Sequence, residues 1–386
     1  MRICIVYDCL FPHTVGGAER WYRNVAERLT AEGHEVTYLT LRQWERGEQA
    51  QIDPGVRVVT AGPRLALYTE DGRRRILPPV VFGLGVLWHL LRHGRRYDVV
   101  HTASFPYFSL LAAGALRPLG RYRLIVDWHE VWSRAYWREY LGAAGGMVGH
   151  LIQRTCARIP QQAFCFSKLH AARLSAEGLT GEVTVLEGEY AGSLEAPVVQ
   201  EAGSTVVFAG RMIPEKRAPA GVDGVAEAAR RMPELRGVFY GDGPERPAVL
   251  EAIRATGLGD RISAPGFVAG EEVDSALREA LCMLLPSSRE GYGMVVVEAG
   301  ARGTPSIVVA GEDNAATELI EEGVNGFVAP SAAPADLAAA IGRVRDGGMA
   351  LRQSTAGWFT QNARRLSLDS SLEIVIAAYR AASARS

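Results

Sequence analysis

Two glutamates stand eight positions apart in the segment SSREGYGMVVVEAGARGTP. Glu290 lies in a glycine-rich turn after the apolar run CMLLPS, and Glu298 lies further along, beside three valines. The two glycines of the turn, Gly291 and Gly293, allow a ligand to approach the backbone closely. A helix that begins near Tyr292 or Gly293 has free N–H groups in its first turn, which favour an anion such as phosphate. The pattern therefore predicts an anion site flanked by two carboxylates.

The neighbouring carboxylates indicate what else such a ligand would carry. A carboxylate beside a phosphate is unfavourable unless neutral groups separate them. Sugar hydroxyls suit Glu290, because they donate to it while the phosphates face the amides. Glu298 lies in an apolar segment and needs paired donors, which two vicinal ribose hydroxyls would supply. A helix acid favoured by the dipole, with a partly exposed second glutamate, explains the same pair without a ligand.

A basic pair follows another strand-like run in FAGRMIPEKR. Arg211 and Lys216 are close enough in sequence to converge on one anionic group, and a diphosphate suits two cations. The chain has only one other lysine, Lys168, so position 216 departs from its general use of arginine. Solvated surface charge is the alternative interpretation of this pair.

A glycine pair follows the first strand-like run, in HTVGGAER. Backbone N–H groups at Gly16 and Gly17 could face an anion at the start of a helix. A glycine pair at a strand–helix turn is more often simple turn chemistry, and that is the favoured interpretation of this pair on its own. The dinucleotide fingerprint is excluded, since no GxGxxG follows this strand.

Short β-rich runs alternate with helical patterns along the 386 residues. This alternation predicts parallel sheets covered by helices on both faces. The pattern lapses in EYAGSLEAPVVQEAGS, which is typical of an interdomain linker. The predicted fold class is α/β, with two doubly wound Rossmann-like domains over 1–190 and 204–365. A C-terminal helix over 366–386 is expected to pack back toward the first domain. Ligands of open parallel sheets bind beyond the carboxyl ends of the strands, so we expect the site in the cleft between the domains.

Composition excludes several classes of protein. The formal net charge of -1 argues against a nucleic-acid binder. Five cysteines without a CxxC motif argue against a disulfide scaffold or a zinc site and favour a reducing, cytoplasmic compartment. The N-terminal MRICIVYD reads as a strand and does not resemble a signal peptide. The preference for arginine over lysine is typical of a GC-rich bacterial genome.

One long apolar run, ILPPVVFGLGVLWHLL, extends from Ile76 to Leu91. It is short for a membrane span and contains two prolines. We expect a buried or half-buried helix. Peripheral membrane contact is the alternative, favoured by the basic RHGRRY that follows.

Eight motifs together resemble one enzyme family: GGAER, GHEV, FAGRMIPEKR, GDGPER, PGFV, EGYGMVVVE, GTPSIVV and VNGFVAP. The sequence is similar to the retaining glycosyltransferases of family four, in which two acids are separated by seven residues. Their architecture is GT-B, two Rossmann-like domains facing across a cleft. The resemblance covers nearly the whole chain. It departs from the family at Gly300, where a larger residue is usual, and in the longer CLFPHTVGG loop.

The resemblance implies a role for each matching residue. Glu298 would hold the ribose, Glu290 the transferred sugar, and Arg211 and Lys216 the leaving diphosphate. His129, in VDWHEVW, matches a histidine beside the donor sugar, with Asp127 and Glu130 as neighbours able to orient it. The further donor-binding residues implied are Gly16, Gly17, Phe267, Val268, Gly291, Tyr292, Gly293 and Met294, of which Phe267 and Val268 would hold the base.

The implied reaction transfers a sugar from a nucleoside diphosphate, such as a UDP- or GDP-sugar, to an acceptor hydroxyl with retention of configuration. Arg211, Lys216 and Glu290, with His129, would carry the catalysis, and no metal or other cofactor is expected. The base, the sugar, the linkage and the acceptor (a glycan, a lipid-linked molecule or a natural product) stay open, as does the oligomeric state. A nucleotide-sugar epimerase of related fold and a non-catalytic sugar-nucleotide-binding subunit are the alternatives.

Overall fold

The computed structural model describes residues 1–383, except 15, 46, 68 and 70–74. Within this part of the chain, fifteen strands form: β1 (Arg2–Val6), β2 (Glu35–Thr40), β3 (Arg57–Thr60), β4 (Val99–Ala103), β5 (Arg123–Trp128), β6 (Gln162–Cys165), β7 (Val183–Val185), β8 (Thr205–Ala209), β9 (Arg236–Tyr240), β10 (Ile262–Gly266), β11 (Cys282–Leu285), β12 (Arg289–Glu290), β13 (Ser306–Val309), β14 (Asp313–Asn314) and β15 (Gly326–Ala329).

Helices connect the strands. The α-helices of the described residues are α1 (Gly17–Ala31), α2 (Leu77–His93), α3 (Tyr107–Gly120), α4 (Arg134–Ala157), α5 (Lys168–Ala176), α6 (Ala218–Ala229), α7 (Arg246–Thr256), α8 (Gly270–Glu279), α9 (Met294–Gly300), α10 (Pro334–Leu366) and α11 (Leu368–Ser383). Short 3-10 turns lie at Gly94–Arg96, Pro214–Lys216 and Ala315–Leu319. The backbone of α4 breaks at Gly142 and that of α10 at Gly348.

The chain divides into two compact units. Unit 1 takes the described residues up to Leu186 and those from Ser371 onwards, and unit 2 takes Glu187–Ser370. The division lies four residues before the predicted end of the first domain at 190, and the predicted linker falls within unit 2. The last helix α11 is grouped largely with unit 1, because its Tyr379 hydroxyl contacts His101 of β4.

Unit 1 contains a seven-stranded parallel sheet in the order β3-β2-β1-β4-β5-β6-β7. Its central strands β1, β4 and β5 are buried almost throughout, as expected where helices cover both faces of a parallel sheet. In α1, the apolar residues recur every three or four positions, and Trp21, Tyr22, Val25 and Leu29 are buried against the sheet.

Unit 2 contains a six-stranded parallel sheet in the order β10-β9-β8-β11-β13-β15. The pairing of β12 with β14 adds a two-stranded ribbon beyond the end of β11. The predicted α/β class with two doubly wound sheets is therefore confirmed. The two-residue strands of the ribbon were not predicted, because two residues carry no periodicity.

Candidate functional site

The strand order of unit 2 reverses between β8 and β11, which lie side by side in the sheet. Open α/β sheets bind ligands at such a switch point, beyond the carboxyl ends of the strands. The loop after β8 carries Arg211 and Lys216, and the loop after β11 carries Glu290. The topology thus places three of the predicted residues at one edge of one sheet.

Lys216 and Glu290 are in direct contact. The Nζ of Lys216 donates to Oε1 of Glu290 at 2.5 Å, although 74 residues separate them in the chain. Glu290 is buried and Lys216 is half-buried. The backbone N–H of Ser288 donates to the carbonyl of Glu215 at 2.8 Å, which holds the two loops together. The sequence analysis assigned Lys216 to the diphosphate and Glu290 to the transferred sugar. In the structure the two side chains form an ion pair with each other.

Arg211 lies in the same loop with an exposed side chain. Its segment is held by the GDG turn that follows β9, since the N–H of Met212 donates to the carbonyl of Asp242 at 2.8 Å. Gly241 has a φ of 125°, and a Cβ there would lie 1.9 Å from the carbonyl oxygen of Gly210. A side chain at 241 would therefore push the Arg211 loop away from its position.

The segment after Glu290 turns into α9. Gly293 precedes this helix with a φ of 105°, and a Cβ there would lie 2.7 Å from Cβ of Ala316. The helix begins at Met294, one or two residues later than predicted, and its seven residues make two turns. Tyr292 is anchored because its hydroxyl donates to the carbonyl of Glu187 at 2.6 Å. Glu298 lies in the second turn and is half-buried.

One charged residue of this site, Arg289, was not predicted. It precedes Glu290 in β12, and its Nη2 lies 3.4 Å from Oε1 of Glu215. Burial lowers the pKa of its guanidinium to about 10, against the opposing effect of Glu290 and Asp313. In a sequence, a basic residue next to an acidic one is typical of charged side chains on the solvated surface. Only the packing of the loops after β8 and β11 shows that the contact of Arg289 with Glu215 lies next to the contact of Lys216 with Glu290.

Phe267 and Val268 follow β10, at the edge of the sheet. Phe267 is 80% exposed, which is unusual for a phenylalanine, and Val268 is half-buried. They lie apart from the Lys216–Glu290 pair because β9 separates β10 from β8. An exposed aromatic ring at a strand end is available for stacking on a flat group.

The remaining predicted residues belong to unit 1. Gly16 precedes α1, and a Cβ there would lie 2.3 Å from Oε2 of Glu19. A Cβ at Gly17 would meet open space. The buried Glu19 carboxylate thus lies against Gly16 at the start of α1. It would compete with any anion that approached this glycine.

A buried polar network joins four elements of unit 1, namely α1, β4, β5 and α11. Oδ2 of Asp127 in β5 accepts from the indole N–H of Trp21 at 2.7 Å, and its Oδ1 lies 2.8 Å from Nε2 of His101 in β4. Nδ1 of His101 lies 2.5 Å from the hydroxyl of Tyr379 in α11. Burial by itself would raise the pKa of the Asp127 carboxyl, but His101 and the Trp21 donor hold it below its usual range.

His129 lies one residue beyond the end of β5 and is half-buried. Its ring stacks on Phe166 at 4.4 Å and meets the edge of Tyr22 at 6.0 Å. Burial lowers the pKa of its imidazole to about 4, although the Asp127 charge opposes this. His129 is therefore neutral near pH 7. Oε2 of Glu130 accepts from the indole N–H of Trp132 at 2.8 Å.

Comparisons with known proteins cover both units of the chain. The family model described as Glycosyltransferase Family 4 matches residues 15–188, and the model described as Glycosyl transferases group 1 matches residues 203–346. The chain is 34% identical over 141 residues to alpha-D-kanosaminyltransferase of Streptomyces kanamyceticus. This alignment covers 36% of each of the two chains. It is 25% identical to D-inositol 3-phosphate glycosyltransferase of Corynebacterium urealyticum over 95% of this chain and 90% of that one. The alignments to the first three curated relatives span 26% to 41% of their lengths.

Solved structures share the fold. Sucrose-phosphate synthase of Thermosynechococcus elongatus matches with a TM-score of 0.79 at 18% identity and covers all of both chains. HepE of Anabaena, solved in complex with UDP, matches with a TM-score of 0.72 at 16% identity over 99% of this chain and 100% of that one. The fold is therefore GT-B. Together with the two family models, this shows that the chain belongs to the glycosyltransferases of family four and group 1.

Proposed function

We propose that the protein is a retaining glycosyltransferase that moves a sugar from a nucleoside-diphosphate donor to an acceptor hydroxyl. One observation carries the proposal: Lys216, Glu290 and Arg211 lie together at the switch point of the unit 2 sheet. The site combines cations for a diphosphate with a buried carboxylate for hydroxyls. Relatives named as glycosyltransferases, and a structural neighbour solved with UDP-glucose, support the same chemistry.

The Lys216–Glu290 ion pair gives each residue a partner in the absence of a donor. When a diphosphate binds, Lys216 exchanges the carboxylate for phosphate oxygens, and Glu290 becomes available to accept hydrogen bonds from the sugar. Arg211 is exposed in the same loop and adds a second cation. Each well-placed donor to the leaving oxyanion contributes about 3 kcal/mol to catalysis in sites of this kind.

In the proposed reaction the anomeric C–O bond to the diphosphate breaks and the acceptor hydroxyl attacks from the same face. A leaving phosphate oxygen takes the proton of the acceptor. The cations of Lys216 and Arg211 would do the work that a divalent metal does in other transferases, so we propose a metal-independent enzyme. Donor contacts of Glu298, Phe267, Val268, His129, Gly16 and Gly17 stay predictions.

Donor binding is tested by thermal unfolding with UDP, GDP, ADP, CMP, dTDP and NAD, each with and without EDTA. A ligand at about 100 times its Kd adds about 2.7 kcal/mol of stability. We expect one nucleoside diphosphate to stabilise the protein with or without EDTA. Glu298→Ala and Lys216→Met should abolish the shift. The matched controls Glu234→Ala and Lys168→Met, at exposed positions, should keep it.

Transfer itself is tested by incubating the responding sugar nucleotide with hydroxyl acceptors and reading the anomeric configuration of the product by NMR. A glycoside with the configuration of the donor supports the proposal. Release of a free epimerised sugar nucleotide would show an epimerase instead. Stabilisation by NAD alone, or by no diphosphate, would refute a sugar-nucleotide site.

A further inference from the structure

The helices α2, α3 and α4 form one layer of unit 1. The connections β3–β4, β4–β5 and β5–β6 step in the same direction along the sheet, so right-handed crossovers place all three helices on the same face. In agreement, α2 packs against α3 and α3 packs against α4. Their outward sides therefore make one continuous surface.

The outward side of α2 is apolar. Leu77, Leu84, Trp88 and Leu91 recur at helical spacing and are each 59% to 63% exposed. Residues 77–91 contain no Asp, Glu, Lys or Arg. A helix on the surface of a protein in water normally shows charged residues on its outer side. The helix α2 instead carries apolar side chains on its outward side as well as on its buried side.

The neighbouring helices continue the pattern. Leu119, at the end of α3, is 57% exposed, and Met147 and Leu151 of α4 are 69% and 63% exposed. We name this surface the α2–α4 face and define it by six exposed side chains: Leu84, Trp88, Leu91, Leu119, Met147 and Leu151. An exposed apolar patch spread over three elements marks a docking surface.

Arginines gather where these parallel helices end. Arg92 lies over the ring of Trp88 at 3.1 Å, and the exposed Arg95 and Arg96 follow in the next turn. Arg121 follows α3 and Arg158 follows α4, and both are exposed. From 75 to 126 the sequence contains a single acid, Asp98, which pairs with Arg2. The edge of the α2–α4 face is therefore strongly basic.

We propose that the α2–α4 face docks on the surface of an anionic lipid bilayer. Leucines, a methionine and a tryptophan enter the headgroup boundary while the arginines bind lipid phosphates, a combination typical of helices that lie in the membrane plane. A two-fold pairing of the face with a second copy would bring these arginines against a face whose helices α2 and α3 contain no acid. Among the described residues, no helix is long and apolar enough to cross a membrane, so the contact is peripheral.

The test is co-sedimentation of the full chain with vesicles of phosphatidylcholine, with and without phosphatidylglycerol, at low and high salt. We expect binding to the anionic vesicles that weakens as salt rises. Each arginine near such a surface contributes about five-fold, so Arg92→Ala with Arg96→Ala should weaken binding about 30-fold. Arg230→Ala with Arg254→Ala, exposed arginines of unit 2, is the matched control and should change little.

The apolar contribution is tested separately with Trp88→Glu and, on another helix, Leu151→Glu. Both should lower vesicle binding at least ten-fold and keep the thermal unfolding of the wild type, whereas Val198→Glu, at an exposed apolar position of unit 2, should bind normally. Failure of the wild type to bind anionic vesicles refutes the proposal. The proposal is also refuted if the wild type does not bind vesicles but dimerises, and Trp88→Glu abolishes the dimer. The α2–α4 face would then join two copies of the chain.

Discussion

Replacing His129 by phenylalanine should make the stability of unit 1 less sensitive to acid. The ring stacks on Phe166, and a phenyl ring can keep that contact while losing the titratable nitrogens. Burial lowers the pKa of His129 from 6.5 to about 4, whereas the unfolded chain keeps the ordinary value. Between these two pH values the unfolded state binds a proton that the folded state does not. The neutral histidine therefore costs the folded state stability as the pH falls from 6.5 toward 4.

The linkage gives the size of the effect. Between pH 7 and pH 4.5 the wild type should lose about 2 kcal/mol more of its unfolding free energy than His129→Phe does. Urea unfolding followed by tryptophan fluorescence measures this in unit 1, because six of the seven tryptophans lie there. Phe166→Leu is the control, since it weakens the stacking without removing a proton site, and its effect should not depend on pH. An equal pH dependence for wild type and His129→Phe would refute a lowered pKa of His129 in the folded protein.

Three further substitutions test other contacts by their effect on the free energy of unfolding. Tyr379→Phe leaves Nδ1 of the buried His101 without its hydroxyl partner and should cost about 1–2 kcal/mol, measured by urea unfolding; no loss would show that water replaces the hydroxyl. Gly241→Ala forces a Cβ to 1.9 Å from a carbonyl oxygen at a φ of 125° and should cost more than about 2 kcal/mol, whereas Gly259→Ala, which meets open space, should cost little in the same thermal scans. Lys216→Met should cost about 2 kcal/mol by stranding the Glu290 carboxylate, and adding Glu290→Gln should restore part of it; additive losses in this double-mutant cycle would disprove the coupling.

The sequence predicted the elements well because each long strand or helix carries its own periodicity. The alternating pattern predicted both sheets. The ligand positions predicted from the strand-following loops stay predictions. The ion pair of Lys216 with Glu290 could not be predicted, since it depends on β8 lying beside β11. Two-residue strands such as β12 were missed because they form only against a partner segment.

The network around Asp127 shows the same limit in a different form. From sequence we expected Asp127 to orient its neighbour His129, and in the structure its carboxylate contacts Trp21 and His101. Trp21 and His101 belong to α1 and β4, and only the fold brings them beside Asp127. The sequence around Asp127 therefore does not show these partners. The apolar side chains of α2 are also more exposed than the prediction of a buried or half-buried helix implied. The run was visible in sequence, but its orientation was not.

The return of the last helix to unit 1 affects how the protein is made. The ribosome releases the N-terminal part of unit 1 first, then the whole of unit 2, and only afterwards the helix that carries Tyr379. Until then the imidazole of His101 has neither the hydroxyl nor the ring of Tyr379 as a partner. The first-synthesised unit is thus completed last. A nascent chain must keep its early half soluble while the later half folds.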